Sequence, residues 1–325
     1  MDFQEAKKQF ELLFENKMSE DEAKELLISL YKRGETPQEI AAAATVMREH
    51  SVKLDMSDDL REKLIDIVGT GGDKSGSFNI SSTVSLLLAS MGSFVAKHGN
   101  RAITSNSGSA DMLEALGINL NLSTQNQVNM LEETGFTFMF AINHHPAMKH
   151  IMPIRKSLTH RTIFNILGPL TNPAGAKKYL LGVFSKEFIT PMVEGLKLLE
   201  AKSAMVVSSR DGMDEISICD DTYANSLDKG EFVINPEEFG LKKAPLKDIL
   251  GGDALTNAKI TMDIFDGFEK GAKKDIVLLN SAAAFMVDGK AGDFKEGIEM
   301  AKEAIESGKA KKHLKKIVEV SQKLS

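Results

Sequence analysis

Cysteine occurs once in this 325-residue chain, at Cys219. That excludes an internal disulfide and any metal centre built on several thiolates. The residue reads as a small buried apolar side chain at the end of a strand. Tryptophan is absent, which by itself excludes nothing. No apolar run reaches the roughly 18 residues that a membrane-spanning helix requires. The first residues, Met1 to Lys8, are amphipathic and charged, with no apolar signal core, and a cytoplasmic setting is expected. Positive charge is not in excess: 40 Lys and Arg face 46 Asp and Glu, a net charge of −6. Non-specific binding to nucleic acid or to a membrane surface is therefore not expected. Internal repeats and low-complexity linkers are also missing. What the chain does have is 42% hydrophobic residues, enough for one big domain plus a smaller one.

Residues 1–63 read as helices only. Ser19-Glu20-Asp21-Glu22 and Thr36-Pro37-Gln38-Glu39 are capping-box patterns, the second with proline at the first helical position. Gly34 stands between them where a C-cap is wanted. Ala41 to Ala44 form a small-residue face, suited equally to a subunit contact and to packing within the chain. From residue 64 short apolar runs (Ile65–Val68, Phe94–Ala96, Phe136–Phe140, Met205–Val207) alternate with helical patterns at Thr83–Met91, Asp111–Leu116 and Thr190–Glu200. The expected fold class is α/β: a small all-helical N-terminal domain (1–63, completed by part of 155–185) plus a large α/β domain (64–325) with a central, largely parallel sheet. Ligands of such sheets gather at the C-terminal ends of the strands. The tail from about Gly292 to Leu324 reads as a solvated packing helix without chemistry of its own.

Four polar constellations follow apolar runs. The first is Gly69-Thr70-Gly71-Gly72-Asp73-Lys74-Ser75-Gly76-Ser77-Phe78-Asn79-Ile80-Ser81-Ser82. It has neither the P-loop spacing nor the third glycine of a dinucleotide fingerprint. Its glycines and the helix after it suit an anion cradle, and equally a flexible turn. Asp73 would repel a phosphate unless a cation or a hydroxyl lies between them. The second, Lys97-His98-Gly99-Asn100-Arg101 to Ser109-Ala110-Asp111, offers two cations, an amide and hydroxyls, a mix suited to phosphate. The third, Asn143-His144-His145 to His150 followed by Arg155, Lys156, His160 and Arg161, lacks zinc-ligand spacing. It reads as a cationic wall around an acidic substrate. The fourth, Arg210-Asp211-Gly212-Met213-Asp214-Glu215, sets two carboxylates side by side at a strand end. Asp214 and Glu215 are candidate Mg²⁺ ligands, a solvated acidic turn being the alternative.

In their order and spacing, these motifs resemble the anthranilate phosphoribosyltransferases over nearly the whole chain. The likeness takes in Glu22 to Glu49, Gly69 to Asp73, Lys97 to Arg101, Arg155 to Pro173 with Arg161-Thr162-Ile163-Phe164-Asn165-Ile166-Leu167-Gly168-Pro169-Leu170-Thr171-Asn172-Pro173, Asp211 to Glu215, and Asn280 to Ala284. The resemblance implies transfer of a phosphoribosyl group from phosphoribosyl pyrophosphate (PRPP) to the amino group of anthranilate, releasing pyrophosphate, with Mg²⁺ and in a homodimer joined through the helical domain. It implies that Gly69, Gly72, Asp73, Ser77, Asn79, Ile80, Ser81 and Ser82, with Lys97, Asn100, Arg101, Ser105 and Ser109, hold PRPP. It further implies that Ser81, Asp214 and Glu215 serve Mg²⁺, and that Gly69, Asn100, His145 and Arg155 face anthranilate. The expected catalysis is electrostatic, through Lys97 and Arg155, without a dedicated acid or base. Family members commonly carry a glycine just before the acidic motif; Val207-Ser208-Ser209-Arg210-Asp211 departs from this and leaves the loop path there open. The rival readings are a pyrimidine nucleoside phosphorylase-like enzyme and a non-catalytic relative that binds nucleic acid.

Overall fold

The computed structural model describes residues 1–101 and 107–324. The chain opens on three helices, Phe3–Phe14, Glu20–Arg33 and Pro37–Glu49, and a single turn at Asp58–Arg61. Both expected capping boxes form, on Ser19 with Glu22 and on Thr36 with Glu39, and Gly34 ends the second helix with φ of 80°. Each box satisfies two otherwise orphaned donors of a helix start.

Seven strands follow: β1 (Leu64–Gly69), β2 (Phe94–Gly99), β3 (Phe136–Phe140), β4 (Lys178–Gly182), β5 (Ser203–Ser209), β6 (Thr222–Ser226) and β7 (Gly230–Ile234). Their order in the sheet is β3-β2-β1-β4-β5-β6-β7. The pairings from β3 to β5 are parallel, and β6 and β7 add an antiparallel edge. The sequence reading missed β4, β6 and β7. Lys178-Tyr179-Leu180-Leu181-Gly182 is short and directly follows a turn-rich stretch, and β6 carries Thr, Asn and Ser in place of an apolar run.

Alternation along the strands feeds two cores. Ile65 and Ile67 of β1, Leu180 of β4 and Met205 and Val207 of β5 face the helices Ile80–Ser90 and Ala272–Asp288. Leu64, Val68, Tyr179, Leu181, Ala204 and Val206 face the N-terminal helices and the helix Ile189–Leu198. Both faces are therefore covered, as parallel strands require.

Three expectations change here. Ala41 to Ala44 are fully buried within the chain, between the helices Phe3–Phe14 and Ile189–Leu198, so this face is not available to a second subunit. The C-terminal tail is two helices, Phe294–Glu306 and Lys309–Lys323, broken at Gly308 with φ of 74°. Its stripe of Ile298, Ala301, Ala304 and Ile305 is buried in the core. Cys219 is half-buried in the turn before β6.

Candidate active site

The glycine-rich segment leaves the C-terminal end of β1 and reaches the helix Ile80–Ser90. Gly71 and Gly72 adopt φ of 68° and 81°, a region that L side chains resist. Gly69 has a different reason to be glycine. It pairs with Gly182 of β4, and the chain at Asp214 lies across both strand ends. A Cβ at Gly182 would fall inside the Asp214 carbonyl, and one at Gly69 inside its carboxylate. The two bare positions let the fourth motif press onto the first.

That contact brings together the acidic pair and the cradle. The Gly71 N–H donates to Oδ2 of Asp214 at 2.6 Å, and the Ser81 N–H donates to Oε1 of Glu215 at 3.2 Å. The helix Ile80–Ser90 begins three residues before the apolar pattern suggested, and Asn79, its N-cap, makes no side-chain cap bond. Glu215 therefore takes up a first-turn donor, where a negative charge is favoured. Lys97 arrives from β2: its Nζ donates to the Ile67 carbonyl at 2.6 Å and to Oγ of Ser81 at 3.2 Å.

The electrostatics are those of charged groups crowded at the strand ends, with Lys97 buried and the two carboxylates half-buried. Burial, then the charge of Asp73, pushes Asp214 above the usual carboxylate range; burial, then Asp214, does the same to Glu215. Burial pulls the Lys97 ammonium below its ordinary value. Neither carboxylate forms an ion pair among the described residues. Nor do three or more His, Cys, Asp or Glu side chains there form a ready-made metal cage. Mg²⁺ uses one or two carboxylates together with substrate phosphates. Two ionisable acids that repel each other, with the Ser81 hydroxyl beside them, fit such an ion.

The other candidates are distributed as follows. The Ser75 N–H donates to Oδ1 of Asp73, and Ser75 Oγ bonds Ser77 Oγ. Ile80 is buried in the core, which leaves only its backbone to face a ligand, and Ser82 Oγ is buried without a partner. Ser109 opens the helix Ser109–Ala115 and donates to the Asn100 carbonyl, while Asn100 Oδ1 accepts the Arg101 N–H. The Arg101 guanidinium is held by Asp111 and Glu114 and lies over Phe140. Ser105 lies outside the described residues.

On the other face of β2, His98 and His145 meet edge to face at 5.1 Å. Both are buried. Burial drives His98 to about 3 and His145 to about 4, so both rings are neutral at physiological pH. Nε2 of His98 and both ring nitrogens of His145 make no well-formed hydrogen bond. Arg155 ends the helix Met148–Ser157 and packs over Phe164 at 5.3 Å. Its one side-chain bond is to Met152 Sδ, and no carboxylate pairs with it among the described residues. Burial lowers its pKa from the ordinary guanidinium value.

The expected cationic wall does not form as a unit. Arg161 makes a two-pronged pair with Glu35 at 2.9 and 3.0 Å and is sandwiched between Tyr31 and Phe188. His160 stacks on Tyr31, His144 bonds the Val52 carbonyl, and His150 bonds the Leu13 carbonyl. These side chains tie the segment to the N-terminal helices, and of the two arginines expected there Arg155 alone keeps a guanidinium without a carboxylate. The departing stretch before the acidic motif is also settled. β5 runs through Ser209, Gly212 turns with φ of 91°, and Asp211 accepts the Met213 N–H and the Ser217 hydroxyl.

Sequence reasoning missed Asn257. Its Nδ2 donates to Oδ1 of Asn79 at 2.8 Å and its own Oδ1 accepts the Gly252 N–H. It also gave no role to Asp66 and Asn172, which bond each other in the core at 2.7 Å. The signal for Asp66 was an acid inside an otherwise apolar strand; for Asn257 there was none.

Known proteins are similar to this chain over nearly its whole length. Residues 1–51 match the helical bundle domain of a glycosyl transferase family and residues 61–311 its a/b domain. An anthranilate phosphoribosyltransferase from Xanthobacter autotrophicus is 47% identical, over 92% of this chain and 87% of its own length. One from Methanobrevibacter smithii is 46% identical, over 93% and 89%. The crystal structure of the Thermus thermophilus enzyme superposes with a TM-score of 0.94 at 43% identity, covering 99% of this chain and 96% of that one. The Saccharomyces cerevisiae enzyme in complex with PRPP and Mg has a TM-score of 0.86 at 29% identity, covering 94% and 86%. The fold and site thus define a glycosyl transferase of the helical-bundle and a/b type. Within that class, the chain belongs to the anthranilate phosphoribosyltransferase family.

Proposed function

We propose that this chain transfers the phosphoribosyl group of PRPP to the amino group of anthranilate, giving N-(5-phosphoribosyl)anthranilate and pyrophosphate. One observation carries the reading. Three motifs far apart in sequence meet at the strand ends, where Asp214 and Glu215 close onto Gly71 and Ser81 and Lys97 reaches the same serine. The names of the relatives support it, as does the PRPP and Mg complex of the yeast enzyme.

PRPP lies along Gly69 to Ser82 and is met by Lys97, with Asn100, Arg101 and Ser109 beyond. Mg²⁺, held by Asp214, Glu215 and the Ser81 hydroxyl, would neutralise charge on the pyrophosphate. Lys97 brings a desolvated ammonium to the same leaving group, where a fixed charge is worth far more than in water. The anthranilate amine is neutral at pH 7, so its attack on the ribosyl carbon needs no strong base. Neutral His145 would orient that amine, and Arg155, whose guanidinium pairs with no carboxylate among the described residues, would take the substrate's carboxylate. Catalysis on this account is positioning plus electrostatics.

A homodimer through the helical domain and a cytoplasmic setting belong to the same reading. Such a contact would use the exposed side of Glu20–Arg33, around Tyr31, because Ala41 to Ala44 are taken. The test is pyrophosphate release. Release that requires both anthranilate and Mg²⁺ supports the assignment. Phosphate-dependent nucleoside cleavage without metal would replace it with a phosphorylase, and tight, salt-sensitive DNA binding without transfer would replace it with a nucleic-acid-binding relative.

A further inference from the structure

β1 and β2 are joined only over their first two residues. Their register runs Leu64↔Phe94 and Ile65↔Val95 and stops there. On their outer sides the same strands stay paired as far as Gly69, with β4, and Gly99, with β3. Side chains fill the split. The His98 N–H donates to Oδ1 of Asp66 at 3.3 Å. Nδ2 of Asn172 donates to Oδ2 of Asp66 at 2.7 Å and to the Ala96 carbonyl at 2.8 Å. The Lys97 ammonium takes the Ile67 carbonyl.

An acid at this position is expensive. Asp66 is fully buried in a strand covered on both faces, where an isolated carboxylate is strongly disfavoured. Burial pushes its acid up to about 6, and the Lys97 ammonium is the foremost group opposing that rise. Alternation puts Asp66 on the face of the N-terminal helices with Leu64 and Val68. Lys97 emerges on the opposite face with Val95, toward Ser81. The two charges thus face each other through the gap in the sheet, with Asp66 fully buried on the face away from Ser81.

We propose that Asp66, braced by Asn172, is a positioning residue for phosphoribosyl transfer: it holds β1 and β2 apart so that the Lys97 ammonium occupies the gap beside Ser81, and it balances that charge while pyrophosphate is absent. This rests on Lys97 being a pyrophosphate-binding group. An apolar residue at 66 would let the His98 N–H and Ile67 carbonyl join the ladder. Asparagine at 66 keeps the shape, but it removes the charge and sets its amide against that of Asn172.

Asp66→Asn and Asn172→Ala test the idea, with PRPP·Mg²⁺ binding measured by calorimetry and KM measured for each substrate. Asn172→Ala keeps the carboxylate and removes its brace. The expected result is PRPP binding weakened on the order of 10-fold in both variants, with KM for anthranilate changed less than about twofold. Equal changes for the two substrates, or unaltered PRPP binding, would overturn the proposal, and so would unfolding of both variants, which would make the pair a stability element. Wild-type protein that does not bind PRPP at all would overturn the functional reading itself.

Discussion

Gly69 and Gly182 face each other across β1 and β4, and the chain at Asp214 crosses the space that two methyl groups would fill. A methyl at 182 meets backbone, which cannot swing aside as a side-chain tip can. Gly182→Ala is therefore expected to displace the acidic pair. Activity should fall on the order of 100-fold, with a raised Mg²⁺ requirement, in an assay titrated with the metal. Gly168→Ala, where a Cβ meets nothing within 4 Å, should leave that titration unchanged. Glu39 offers a residue-scale test of stability. Burial opposes its charge, but Arg33 at 2.6 and 3.0 Å and the Thr36 N–H outweigh it and bring the carboxyl down to about 2. A depressed folded-state pKa contributes stability above the unfolded value that is lost as pH falls. Thermal melts should show that loss between about pH 4.5 and pH 2 in wild type. Glu39→Gln should lack this component and be weaker at pH 7, by on the order of 3 kcal/mol.

The helix Met148–Ser157 and the segment after it carry two arginines with opposite duties. Arg155 has no carboxylate among the described residues, whereas Arg161 is spent on Glu35, Tyr31 and Phe188. Arg155→Ala should raise KM for anthranilate and leave KM for PRPP nearly unchanged; equal rises in steady-state kinetics would remove it from the anthranilate site. Arg161→Ala should leave turnover per folded molecule intact and lower the urea midpoint, corresponding to about 3 kcal/mol, because Glu35 is left buried and unpaired. The run Arg155 to Arg161 looked like one cationic surface because sequence spacing shows charge but not its partners. Glu35 lies 126 residues away from Arg161, and only the packing of the helical domain on the sheet brings the two together.

For the whole molecule, the helical layer, the sheet and the outer helices hold three loops at one end of five parallel strands. The acidic pair is held by the Gly71 and Ser81 N–H groups against mutual repulsion and burial, so ligand and cation should stabilise the chain together. PRPP with Mg²⁺ at about 100 times the dissociation constant is expected to add about 2.7 kcal/mol, seen as a rise in melting temperature. Chelation of the metal should abolish most of that rise. A PRPP-induced shift that survives chelation would remove the metal from the site.

Local chemistry was legible wherever it is encoded by neighbours in the chain. Capping boxes announced the first helices, and the apolar runs of β1, β2, β3 and β5 stood out because strands covered on both faces must be hydrophobic. The glycine-rich turn, Lys97 and the Asp214-Glu215 pair were readable as chemistry because each concentrates unusual residues in a few positions. β6 and β7 were not: β6 is largely buried but carries Thr, Asn and Ser in place of an apolar run, and the edge strand β7 buries Ile234 alone. The partnership of groups distant in sequence was decided by tertiary structure alone. Gly182 and Asn257 have their roles only because other segments lie against them, and Arg161 is neutralised by Glu35 in the distant turn between the second and third helices. Asp66 sits in a gap between strands that no local pattern records. A sequence states which groups are available, whereas the sheet and its two cores determine which of them meet, how dry they are, and hence what charge they can carry.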